Sequence, residues 1–235
     1  IASLVAGLLS MHMTFLKRFP IMRASRGYGL YVVLVNVWLA IGQPIWAADP
    51  PVILALGDSL TAGFGLAQPD SFTVQLEAAL AKAGTVAKIK NAGVSGDTSA
   101  GGRARLAWAL AEKPDAVMIE LGANDGLRGL NPKRTEANLD AIIAMAKAQG
   151  LLVLLTGMRA PPNLGVEYGE EFNSLFARLA RKHEVLFYPF FLEGVAALPT
   201  LNQADGIHPN GQGVAEIVRR LVPIVEKLIT QVGRK

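Results

Sequence analysis

From residue 52 onward the chain repeats one pattern, a short apolar run followed by an amphipathic stretch with helix start and stop signals. The runs Val52–Leu56, Val86–Lys90, Ala116–Leu121, Leu151–Thr156 and Val185–Tyr188 have the length and composition of strands. Between them, Asp70 or Ser71 caps a helix that Gly84 closes, and Asn131-Pro132 opens another that Gly150 closes. In the second of these Leu139, Ile142, Ile143 and Ala146 share one face. A last helix is expected from about Pro209 to Ile229. Strict alternation of strand and helix implies right-handed crossovers, hence a parallel sheet covered on both faces. With no internal repeat or long linker, residues 48–235 read as one α/β domain.

Residues 1–47 read differently. Lys17, Arg18, Arg23 and Arg26 precede the apolar run YGLYVVLVNVWLAI at 28–41, and IWAAD then offers small residues at Ala47 and Ala48. That order is the layout of a secretory signal peptide. The apolar run is shorter than the roughly 20 residues of a membrane span, and Gly42-Gln43-Pro44 interrupts its extension. Cleavage after Ala47 or Ala48 is therefore favoured over an uncleaved anchor, with Met11, Met13 or Met22 as candidate starts and a mature chain in the periplasm or secreted. The leader also explains the charge. The chain carries 23 Lys and Arg against 19 Asp and Glu, and the four leader cations make up the whole excess. A near-neutral domain without a dense basic cluster argues against a nucleic-acid partner. The absence of cysteine excludes a thiol nucleophile and thiolate metal sites.

In a parallel sheet, ligands bind beyond the carboxyl ends of the strands. Four groups follow those ends: Gly57-Asp58-Ser59, Gly93-Val94-Ser95-Gly96-Asp97, Gly122-Ala123-Asn124-Asp125 and Asp205-Gly206-Ile207-His208. A serine hydroxyl needs a base within hydrogen-bond reach before it attacks. Of three histidines, His12 lies in the leader and His183 sits at a charged helix end, where a solvated role is expected, which leaves His208. Asp205, three residues earlier, is placed to hold its Nδ1–H. Pro209 is expected in the first turn of the last helix, with His208 at its cap. An oxyanion formed on attack needs donors, which the N–H groups of Ser59 and Gly96 and the Asn124 amide can offer.

A phosphate loop is excluded because no lysine occurs between Gly57 and Gly65. A metal hydrolase recruiting Asp58, Asp125, Asp205 and His208 would leave Ser59, Gly96 and Asn124 without roles. Asp58, Asp97 and Asp125 are expected to bond nearby loop N–H groups instead. No cofactor or metal is implied.

Ser59 in GDSL, Gly96 in VSGDTS, Asn124 in GAND and His208 in DGIHPN together resemble the SGNH, or GDSL, hydrolase family. NAGVSGDTSAGG, ELGANDGLRG and DGIHPNGQG are similar to its bacterial acyl thioesterase, arylesterase and lysophospholipase branch. The resemblance implies a flavodoxin-like α/β/α sandwich with a five-stranded parallel sheet, and a covalent acyl-serine intermediate. It also implies catalytic roles for Ser59, Asp205 and His208, and oxyanion roles for Ser59, Gly96 and Asn124. Within the long loop 157–169, Met158, Pro161, Pro162 and Leu164 are candidates to line an acyl channel, simple loop packing being the other reading. The expected partner is a small ester or thioester, with membrane contact only through a lipid-like substrate or an uncleaved leader; a monomer is favoured. A carbohydrate acetylesterase, needing a shallow polar cleft, and a non-catalytic lipid- or glycan-binding module are the alternatives.

Overall fold

In β1 (Val52–Gly57) every residue after the first is buried, and β3 (Ala116–Glu120) is buried throughout. Strands buried along nearly their whole length are what a sheet covered on both faces requires. The computed structural model describes residues 49–233; the leader with its candidate cleavage site lies outside them. Around β1 and β3 stand β2 (Lys88–Gly93), β4 (Leu152–Thr156) and β5 (Leu186–Tyr188), in the order β2-β1-β3-β4-β5, every pair parallel. This is the flavodoxin-like order. The expected second strand began at Val86; the observed one is displaced toward the C-terminus. Val86 is 65% exposed, whereas pairing with β1 runs from Lys88 to Gly93.

The helices are α1 (Ser59–Ala62), α2 (Phe72–Lys82), α3 (Ser99–Ala109), α4 (Ala123–Leu127), α5 (Pro132–Ala148), α6 (Val166–His183) and α7 (Gly211–Val232). Helices α2 and α7 pack together, and α5 packs against both α3 and α6. In α5, Asn131 caps the Lys133 N–H, Pro132 follows, and Leu139, Ile142, Ile143 and Ala146 are all buried. In α2 Ser71 stands at the cap position, but its hydroxyl donates to the Gln68 carbonyl and makes no cap bond. His183 is not solvated as expected. Its ring is 13% exposed, and Nε2 lies 2.6 Å from Asp140 on α5. Among the described residues no helix is long and apolar enough to cross a membrane.

The order of the sheet places the site. After β1 the chain turns outward to β2, then returns to build β3 on the other flank of β1. Ligand crevices open at such a switch point, so the segments leaving β1 and β3 face each other. Gly57 and Glu120 are register partners across that boundary.

Candidate active site

Ser59 is the first residue of α1, immediately after β1. The break between them depends on Gly57: a Cβ there would lie 2.0 Å from Thr61 Oγ1 and 2.6 Å from Glu120 Oε2. Asp58 caps α1, its Oδ1 accepting the Leu60 N–H at 3.0 Å. The serine is thereby presented half-buried at the sheet edge.

His208 Nε2 lies 3.0 Å from Ser59 Oγ, and His208 Nδ1 lies 2.6 Å from Asp205 Oδ2. The other Asp205 oxygen accepts the N–H groups of Ile207 (2.9 Å) and His208 (3.0 Å). Those His208 bonds, with the Ile207 N–H, hold the Asp205 carboxyl down at about 2. Phe64 covers the imidazole, the ring centroids 4.6 Å apart. This arrangement lets the imidazole take a proton from the hydroxyl while the carboxylate steadies the resulting cation.

The expected placement of His208 at the cap of the last helix is overturned. Pro209 forms an antiparallel bridge with Asn202, and the His208 carbonyl accepts the Gln203 N–H at 2.7 Å. Asn210 is the cap, taking the N–H groups of Gln212 and Gly213.

Asn124 lies in the first turn of α4, its Nδ2 donating to Asp58 Oδ2 at 3.2 Å. Gly96 occupies an exposed turn closed by the Asp97 N–H on the Val94 carbonyl, at φ +84, a value that favours glycine. Its carbonyl accepts from Arg128 at 2.9 Å. Asp97 does not bond a neighbouring N–H as expected; it pairs at 2.6 Å with Arg105, which also reaches the Gly57 carbonyl. Asp125 accepts from the Ser99 N–H and hydroxyl and from Thr135. The carboxylates a metal site would recruit are thus engaged with separate partners, and the described residues hold no candidate metal cluster.

Residues 55–215 match the GDSL-like Lipase/Acylhydrolase family. The chain belongs to that family. It is 42% identical over 198 residues to the Esterase TesA of Pseudomonas aeruginosa, covering 84% of this chain and 98% of the relative. It is 41% identical over 165 residues to the Thioesterase 1/protease 1/lysophospholipase L1 of Escherichia coli K12, covering 70% and 78%. The crystal structure of the psychrotrophic esterase EstA from Pseudoalteromonas sp., inhibited by monoethylphosphonate, superposes with a TM-score of 0.73 at 32% identity, covering 77% of this chain and 99% of that one.

In this member of the GDSL-like family, Ser59, Asn124 and His208 open on a cleft of about 520 Å³. Met158, Pro161 and Pro162 line it as expected, but Leu164 does not; it sits in a 3-10 turn facing Gly129. That turn and the start of α6 at Val166 also shorten the expected loop. Gly96 is not part of the lining. The apolar wall also draws on residues that sequence patterning did not assign to it: Leu127, Phe190, Leu192 and Ile207. Their only shared signal was position, on segments beyond the carboxyl ends of β3 and β5.

Proposed function

We propose that the chain is an exported serine hydrolase cleaving carboxylic esters or thioesters with an apolar acyl or aryl portion. The observation that carries this reading is the continuous run from Asp205 through His208 to Ser59, with contacts of 2.6 and 3.0 Å, at the mouth of a largely apolar cleft. In the reading, His208 Nε2 takes the Ser59 proton as Oγ bonds to the carbonyl carbon. The Asn124 amide and the N–H groups of Ser59 and Gly96 stabilise the oxyanion. Collapse expels the alcohol or thiol, which takes the proton from His208, and water repeats the sequence to release the acid from Ser59. An apolar wall is poorly matched to the shallow polar cleft that an acetylated sugar needs.

A fluorophosphonate should label the wild-type chain at Ser59 and leave Ser59→Ala unmodified, as read by mass spectrometry. An unlabelled wild type that is folded would sink the reading. Export rests on the order of basic, apolar and small residues before Asp49. N-terminal sequencing of protein from a periplasmic fraction should begin near Asp49; retention of the leader on all of the protein would overturn export by cleavage. In this reading the partner is a small-molecule ester or thioester, a monomer is the favoured state, and no nucleic acid takes part.

A further inference from the structure

Two carboxylates lie under the Ser59 turn, and the proposed reaction uses neither. Asp58 and Glu120 are both fully buried. Glu120 ends β3 as the register partner of Gly57, and the missing Gly57 side chain leaves room for its carboxyl. Its Oε2 accepts the Thr61 hydroxyl at 2.7 Å and the Asp58 N–H at 3.3 Å, while Oε1 is buried with no hydrogen-bond partner. Asp58 divides its oxygens, Oδ1 to the Leu60 N–H and Oδ2 to the Asn124 amide.

An asparagine amide has two N–H donors and one acceptor oxygen, and without a fixed partner it can turn over, presenting oxygen where nitrogen stood. A carboxylate accepts and cannot donate, so Asp58 Oδ2 tolerates only the nitrogen side. We propose that Asp58 is a positioning residue for ester hydrolysis: by taking one Asn124 N–H it fixes the amide so that the second is free to meet the oxyanion. The inference rests on the reading of Asn124 as an oxyanion donor.

Glu120 supports this as the member of the pair that burial biases most toward its protonated form. Burial raises its pKa well above the ordinary value, and the neighbouring Asp58 charge raises it further. Burial also lifts Asp58, to about 6, against the Leu60 N–H, the Asn124 amide and the His208 charge, which favour its ionised form; Asp125 opposes them. With Asp58 lifted only to about 6, it ionises by neutral pH and accepts the Asn124 N–H, while burial biases Glu120 toward its protonated form.

The test is a cycle of Asp58→Asn and Asn124→Ala, singly and together, with kcat and KM measured on one p-nitrophenyl ester. In Asp58→Asn the only acceptor oxygen caps Leu60, and a donor is left facing Asn124. kcat should then fall at least about tenfold, toward the roughly 100- to 1,000-fold typical of losing an oxyanion donor, with KM little changed. In the Asn124→Ala background the same change should cost less than about twofold, because groups acting as a unit are not additive. Asp58→Ser, which keeps a helix cap but is too short for Asn124, should behave alike if the asparagine variant does not fold. An equal loss in both backgrounds, or none in either, overturns the inference while Asn124→Ala alone remains impaired. An Asn124→Ala chain as active as the parent overturns the Asn124 assignment itself, and the inference with it.

Discussion

Glu120 is the residue whose surroundings depart furthest from its chemistry, and the departure is measurable. A carboxyl whose folded pKa is raised binds its proton more tightly in the native than in the unfolded chain. Its stabilising contribution is therefore complete below the unfolded value and is lost as pH rises through the folded one. Glu120→Gln removes that dependence, so the melting temperature of the variant minus that of the parent should grow between pH 5 and pH 8.5. A constant difference would show that Glu120 does not titrate as proposed. Asp205 has the opposite sign. Held near 2, chiefly by the His208 N–H, it contributes stability above its unfolded value and loses it as pH falls through about 2. A fall in kcat/KM between pH 4 and 7, measured at constant ionic strength, should thus belong to groups other than the Asp205 carboxyl. Gly57→Ala meets atoms at 2.0 and 2.6 Å, and should cost about 1–3 kcal/mol in urea denaturation while displacing Ser59. Serine, histidine, aspartate and asparagine were legible as residues because their chemistry is rare in an apolar pattern. Glu120 was not: one acid at a strand end reads as solvated until the Gly57 partner is known.

At the scale of elements, local signals succeeded where one side chain could satisfy them. The Asn131-Pro132 start and the buried stripe of α5 follow from capping and a 3.6-residue period. The start of α7 did not follow, because Pro209 fits a first helical turn equally well; its long-range bridge to Asn202 decides otherwise. Asn210 binds that bridge to the helix. Its Oδ1 accepts from Gln212 and Gly213, and its Nδ2 donates to the carbonyls of Thr200 and Asn202. Asn210→Ala should lose about 0.5–2 kcal/mol, the usual cost of removing a cap, in chemical denaturation. It should also lower kcat/KM, since the loop carrying His208 is anchored there. Unchanged activity in the destabilised variant would show that the loop holds His208 without that anchor.

For the whole molecule, α7 fixes one side of the sheet through Val214, Ile217, Val218, Leu221, Val225 and Leu228, all buried. Leu221→Ala should cost about 2–5 kcal/mol by removing packed volume, with kcat/KM per folded molecule nearly unchanged because Leu221 does not line the cleft. The cleft itself makes a prediction about substrate. Each methylene buried against its wall is worth at most about 0.8 kcal/mol, or roughly fourfold. kcat/KM on p-nitrophenyl esters should therefore climb with acyl length from acetate and flatten once the roughly 520 Å³ is filled. A profile that is highest at acetate would point to a small polar acyl group instead.

The amino-acid order alone determined the alternation of elements, the parallel sheet and the edge on which the four groups emerge, because periodicity and crossover handedness are local consequences of the chain. Tertiary structure decided which atoms meet. The approach of His208 to Ser59 spans 149 residues, and the Asp58–Asn124 bond spans 66. The same holds for the wall built by Phe190 and Leu192, for Leu164 facing away from it, and for Gly96 standing outside the lining. Those contacts depend on where the sheet order reverses between β1 and β3, and on side-chain directions that no single segment encodes.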